Sequence, residues 1–192
     1  MNVNFSETYR TDTLALIIGE ESSMELSCST LLVNGFDWDM YLSPWPSPRV
    51  FKKGNDFAGK ADELVEEIEK RLFQCHAYKR VIACGYSLAG LFAMYYATKS
   101  DHIDSVMSAS GSMWFPGFRK YLEEHPIKAH HVYMSLGDKE KNAKNPLMAT
   151  VEDETLRIKE MTNAFFEMNE GNHFKDADIR MRKGVDYLLS LD

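Results

Sequence analysis

Cysteine is scarce in this chain and does not pair: Cys28, Cys75 and Cys84 are an odd count with no Cys-x-x-Cys spacing. That argues against a disulfide framework and a thiolate zinc site. Cys84 lies inside an apolar, strand-like run, where a thiol acts as a small apolar residue, so a cysteine nucleophile is not expected. The six histidines contain no His-x-x-x-His or comparable set, so no metal and no cofactor is expected. Basic residues are outnumbered 22 to 29, and the net charge of −7 speaks against nucleic acid or an anionic membrane surface as a partner. No apolar run is long enough to cross a bilayer. Met1-Asn2-Val3-Asn4-Phe5-Ser6-Glu7 lacks the basic and apolar blocks of a secretory leader, so a soluble, cytoplasmic protein is expected. Repeats, low-complexity tracts and linkers are absent too. The 192 residues, 44% of them apolar, therefore read as one domain, 1–192, with a real core. A homodimer is left open.

What is present is organised around Cys84-Gly85-Tyr86-Ser87-Leu88-Ala89-Gly90. Val81-Ile82-Ala83 before it reads as a buried strand, and Leu91 to Ala97 after it as a helix apolar on every face. So little chain separates the two that it must reverse sharply at Tyr86-Ser87. Such a corner strains the serine backbone and holds its hydroxyl clear of the sheet. Gly85, Ala89 and Gly90 let strand and helix approach closely, and the helix N-terminus beyond Ser87 offers free N–H groups to an oxyanion. The alternative reading is that Ser87 merely caps a core helix.

Elsewhere the pattern alternates strand and helix. Strands are expected at Thr13–Ile18, at Ser29-Thr30-Leu31-Leu32-Val33, at Ile103 to Ala109, at His130 to Leu136 and at Ala164 to Met168. Residues 19–23 read as a turn. Helices are expected over Asp56 to Phe73, with Leu64, Val65, Ile68 and Leu72 on one face, over Phe115 to His125, from an N-cap at Thr150 to about Asn163, and over Asp176 to Leu191. Asn34-Gly35 could turn a hairpin, but Pro44, Pro46 and Pro48 make the following segment a rigid loop. Trp38 and Trp45 on that loop either wall a pocket or pack back on the core. Helices between strands at short spacing imply right-handed βαβ units: an α/β fold with a mostly parallel sheet flanked by helices.

The ends of the later strands carry chemistry. One strand runs into Gly137-Asp138-Lys139-Glu140 and the last into Gly171-Asn172-His173. In a parallel sheet the carboxyl ends lie along one edge, so these residues and Ser87 would meet there. His173 would act as general base and then acid for Ser87, with Asp138 or Glu140 fixing its tautomer. The longer Glu140 suits a position further from the sheet edge; Asp138 could instead brace the loop through backbone N–H groups. Either carboxylate could also be a solvated charge beside Lys139 and Lys141. His76, His102 and His125 fall near helix ends, and His130 and His131 at the wrong edge of the sheet.

Taken together, the chain resembles the esterase branch of the α/β-hydrolases, the group with siderophore esterases, feruloyl esterases and S-formylglutathione hydrolases. Gly85-Tyr86-Ser87-Leu88-Ala89-Gly90 is similar to that group's Gly-His-Ser-x-Gly-Gly elbow. Ser108-Ala109-Ser110-Gly111-Ser112-Met113-Trp114 resembles its Ser-Pro-Ser-x-Trp segment, and Gly171-Asn172-His173-Phe174 its histidine loop. Tyr86 stands for the usual histidine and Ala89 for a glycine, which leaves the substrate class open. The resemblance implies a compact single-domain α/β-hydrolase. In it Leu88 N–H and Phe36 N–H, or that of Asp37, would hold the oxyanion. Because the group's acid commonly lies about three residues past a strand-end glycine, it also favours Glu140. Tyr86, Trp114 and Trp45 are the expected substrate contacts. Only Ser110 to Ala129 is available between two strands where many relatives insert a lid, so an open site taking bulky or extended esters is expected. The implied activity is ester hydrolysis through an acyl-enzyme. Acyl transfer or amide hydrolysis would use the same residues, and a catalytically silent binding protein of this fold is the rival from another class.

Overall fold

The computed structural model describes residues 2–20, 24–75 and 77–191. Chain order is β1 (Asn4–Thr8), β2 (Thr13–Ile18), β3 (Ser29–Asn34), α1 (Trp38–Tyr41), β4 (Pro46–Ser47), β5 (Phe57–Ala58), α2 (Ala61–Gln74), β6 (Arg80–Tyr86) and α3 (Leu88–Lys99). Then come β7 (Ser105–Ala109), α4 (Phe118–Glu124), β8 (His131–Gly137), α5 (Val151–Thr162), β9 (Phe165–Asn169) and α6 (Ala177–Leu189). Seven strands form one sheet in the order β1-β3-β2-β6-β7-β8-β9, parallel except for the antiparallel edge strand β1. This is the expected α/β architecture. Between β7 and β8 the chain forms only α4, so no lid domain is inserted there.

Alternation along the strands divides the core in two. Leu14, Leu16 and Ile18, with Val81, Ala83, Val106 and Met134, face α2, α3, α4 and α5. Ala15, Ile17, Ile82, Cys84, Met107 and Tyr133 face Met181, Val185 and Leu188 of α6. A strand buried on both faces must read as a continuous apolar run, which is why β2 and β6 were recognisable. Helix α3 has no solvent face over Leu88–Thr98, whereas α2 buries only one stripe, Ala61, Leu64, Val65 and Ile68.

Several expectations need correction. Strand β1 was not anticipated: its only large apolar residue is Phe5, and edge alternation over five residues is a weak signal. Helix α2 begins at Ala61, not Asp56. Gly59 stands at φ +72, and a Cβ there would lie 2.3 Å from the Trp45 carbonyl carbon, so the chain pairs as β5 on β4 before the helix can start. The proline-rich loop holds α1, because Asp37 Oδ1 accepts from Met40 N at 3.0 Å and caps it. Thr150 is not a side-chain cap: its hydroxyl donates back to Leu147 O at 2.7 Å, and a 3-10 turn at Met148–Thr150 leads into α5. The expected turn at 19–23 falls partly, at 21–23, outside the described residues, as does His76. Among the described residues no helix is long and apolar enough to cross a membrane.

Candidate active site

At the end of β6 the chain turns on Ser87, φ 59 and ψ −123, a region that L-residues avoid. The corner is held from both sides: Ser87 N donates to Ala109 O at 3.1 Å, and Ser112 N donates to Ser87 O at 3.0 Å. A Cβ on Gly85 would stand 2.1 Å from Ala89 O, so only glycine lets α3 pack so close to β6. Ala89, where the resemblance has glycine, fits fully buried. Ser87 makes no side-chain cap on α3, which removes the plain capping reading. Its Oγ lies instead 2.9 Å from His173 Nε2.

His173 follows β9 and faces Ser87 across the carboxyl edge of the sheet. Its Nδ1 lies 2.7 Å from Glu140 Oε2. Glu140 opens a 3-10 turn after β8 and is 6% exposed. Its other oxygen accepts from Gly137 N at 2.8 Å, Ser110 Oγ at 2.7 Å and Arg180 Nη1 at 2.9 Å. Burial pushes this carboxyl up, but the hydrogen bond and charge of His173, with the bonds from Ser110 and Gly137, hold it below the usual glutamate value. Asp138 is exposed and turns the other way: its Oδ1 accepts from Gly171 N at 2.7 Å, bracing the histidine loop. Lys141 pairs with Glu152 at 3.1 Å rather than with either acid.

Leu88 N is the first amide of α3, directly after Ser87. Phe36 is not brought beside the serine. It follows β3, and β2 lies between β3 and β6, so two strand spacings, about 9–10 Å, separate the strand before Phe36 from the strand before Ser87. Register sets Ile18 opposite Gly85, so it is the end of β2, at Gly19-Glu20, that lies beside the elbow. Position in chain order suggested Phe36; strand order, invisible in the sequence, reverses the two loops.

A cavity of about 50 Å³ opens against Ser87 and His173, walled by Ser112, Trp114, Phe51, Met148 and Val151. Trp114 is thus at the site. Trp45 is not: its indole donates to Pro116 O at 2.9 Å and its ring packs on Phe115 and Tyr121. Tyr86 holds the histidine loop rather than the cavity wall, donating its hydroxyl to His173 O and setting its ring 5.4 Å from the imidazole. Ser110 and Arg180 were not singled out as site residues. Ser110, at φ 48, stands inside the Ser108–Trp114 segment, whose pattern gives it no role. Arg180 leaves a trace in the pattern, a charge one helical turn before the buried Gly184 on α6. Cys84 is fully buried, which drives its thiol pKa well up and keeps it unreactive. His102 and His130 pair with Glu69 and Asp104 away from the site. Among the described residues no three His, Cys, Asp or Glu side chains gather as a metal would need.

No family model and no curated protein matches this chain. Solved structures do. The siderophore hydrolase EstA from Aspergillus nidulans is similar over 96% of this chain and 84% of its own, at 14% identity and a TM-score of 0.62. Acyl-protein thioesterase 2 of Zea mays is similar over 98% and 96%, at 13% identity and 0.62. Esterase PE8 is similar over the full length of both chains, at 12% identity and 0.60. Likeness at this identity shows the fold, that of the α/β-hydrolases.

Proposed function

We propose that this α/β-hydrolase-fold chain is a serine hydrolase that cleaves carboxylic esters. The carrying observation is the unbroken chain from Ser87 Oγ through His173 to Glu140, 2.9 and 2.7 Å long, on a serine held at an elbow. Ser87 attacks the acyl carbon while its proton passes to His173 Nε2. The tetrahedral oxyanion is met by Leu88 N–H and by the backbone at Gly19-Glu20, next to the elbow. The imidazolium, held by Glu140 through Nδ1–H, then protonates the alkoxide as the ester C–O bond breaks. Water repeats the cycle on the acyl-enzyme and frees the carboxylic acid. The His173 side chain is 28% exposed, so water reaches the base; this favours hydrolysis over acyl transfer on the same groups. The test is turnover of p-nitrophenyl acetate. It should vanish in Ser87→Ala and fall by several orders of magnitude in His173→Ala, with the double variant scarcely worse, because groups acting as a unit are non-additive. Undiminished turnover in Ser87→Ala would point to another nucleophile, and no turnover by the wild type to a silent binding protein of this fold.

A further inference from the structure

Arg180 of α6 is 1% exposed, although a guanidinium leaves water only where its donors are met. Its donors are concentrated on the site. Nη1 lies 2.9 Å from Glu140 Oε1, 2.8 Å from Ser110 Oγ and 3.5 Å from Tyr86 Oη. Nη2 donates to the carbonyls of Glu170 at 3.2 Å and Asn172 at 3.1 Å, two points on the loop that ends in His173. Nε finds no hydrogen-bond partner among the described residues, so this placement leaves one buried donor unmet. The backbone makes room for the fork: a Cβ on Gly137 would stand 2.8 and 3.0 Å from the guanidinium nitrogens.

We propose that Arg180 is a positioning residue that ties the carboxylate of Glu140 to the backbone of the His173 loop and shares the carboxylate's charge. This rests on the serine-hydrolase reading above. With three donors on Oε1, the carboxylate cannot rotate, and Oε2 stays aimed at Nδ1. The two carbonyl bonds fix the loop from the same guanidinium, so acid and base move together or not at all. The charge has a separate effect. A cation on Oε1 offsets part of the carboxylate's negative charge, so removing it should strengthen the hold of Glu140 on the imidazolium. Of the other charges on these loops, Asp138 is on Gly171 N, Lys175 pairs with Glu170 and Lys141 with Glu152, and Lys139 is exposed. Tyr86 contributes its hydroxyl to the His173 carbonyl.

The experiment is the pH profile of p-nitrophenyl acetate hydrolysis by the wild type, Arg180→Gln and Arg180→Lys. Arg180→Gln should lower kcat on the order of 10²-fold with KM little changed, and move the acidic limb of kcat/KM up by about one pH unit. Arg180→Lys keeps the charge without the fork, so its limb should stay in place while kcat recovers only in part. A limb that does not move in Arg180→Gln, or that moves equally in both variants, overturns the proposal. If Arg180→Gln does not fold, Arg180→Lys decides alone: wild-type kcat overturns the tie, and a lowered kcat with an unmoved limb supports it. Survival of turnover in Ser87→Ala sinks the hydrolase reading and not the placement of Arg180. Should the wild type turn over nothing, the downfield Nδ1–H proton signal of His173 is the readout. Its loss or broadening in Arg180→Lys supports the tie, and an unchanged signal overturns it.

Discussion

Glu140 and Asp138 stand two residues apart on one loop and do different things because of where their chain ends point. Glu140 reaches inward, 6% exposed, to Nδ1 of His173; Asp138 stays exposed and holds Gly171 N. Glu140→Gln keeps the shape but cannot stabilise the imidazolium. It should cost up to about 10⁴ in kcat with little change in KM. Asp138→Asn should keep turnover near the wild-type rate and lower the melting temperature, since only a loop brace is weakened. Steady-state kinetics and a thermal melt on both variants check this, and a dead Asp138→Asn beside an active Glu140→Gln would reverse the roles. The extra methylene of Glu and its distance from the strand end were legible in the sequence. The orientation of each side chain was not, because loop dihedrals are not encoded by periodicity.

Among the elements, those with long apolar runs were legible: β2 appears at the expected Thr13–Ile18, and α3 follows the elbow. What escaped was set by partners distant in sequence. Strand β1 exists by pairing with β3, α2 starts late because β5 pairs with β4, and the order of β2 and β3 moves Phe36 away from Ser87. The cavity walls are likewise assembled from separate segments, Phe51 before β5, Trp114 after β7, Met148 in the 3-10 turn before α5 and Val151 at the start of α5. Their convergence leaves about 50 Å³ beside Ser87 and His173. On the proposed activity, a short acyl group is the expected occupant, with the rest of a bulkier ester lying outside the cavity. Along a p-nitrophenyl ester series, kcat/KM should therefore be highest for the shortest acyl chains and fall towards octanoate. Met148→Ala should flatten that decline; a wild-type preference for octanoate would contradict the cavity's role.

At the scale of the whole molecule, the fold holds four carboxylates among the described residues below their ordinary values. Burial pushes each up, yet hydrogen bonds and charge outweigh it: from Ser100, Tyr96 and His102 at Glu69, from Ser105, His130 and Arg80 at Asp104, from His173 and its neighbours at Glu140, and from Lys183 and Tyr133 at Glu167. A depressed folded-state pKa gives stability that is complete above the unfolded value, 4.5 for Glu and 3.8 for Asp, and is lost as pH falls through the folded value. The melting temperature should accordingly change little from these groups above about pH 5 and drop below about pH 4. Glu140→Gln should flatten part of that drop, read by calorimetry across the acid range. A curve as steep as the wild type's would show that Glu140 does not contribute.

The proposed activity requires an activated Ser87, and covalent labelling reads that activation directly. Wild-type protein treated with a fluorophosphonate should gain one phosphonyl group by intact mass, mapped to the peptide bearing Ser87, and Ser87→Ala should gain none. Equal labelling of Ser87→Ala, or modification at some other serine, would contradict the account.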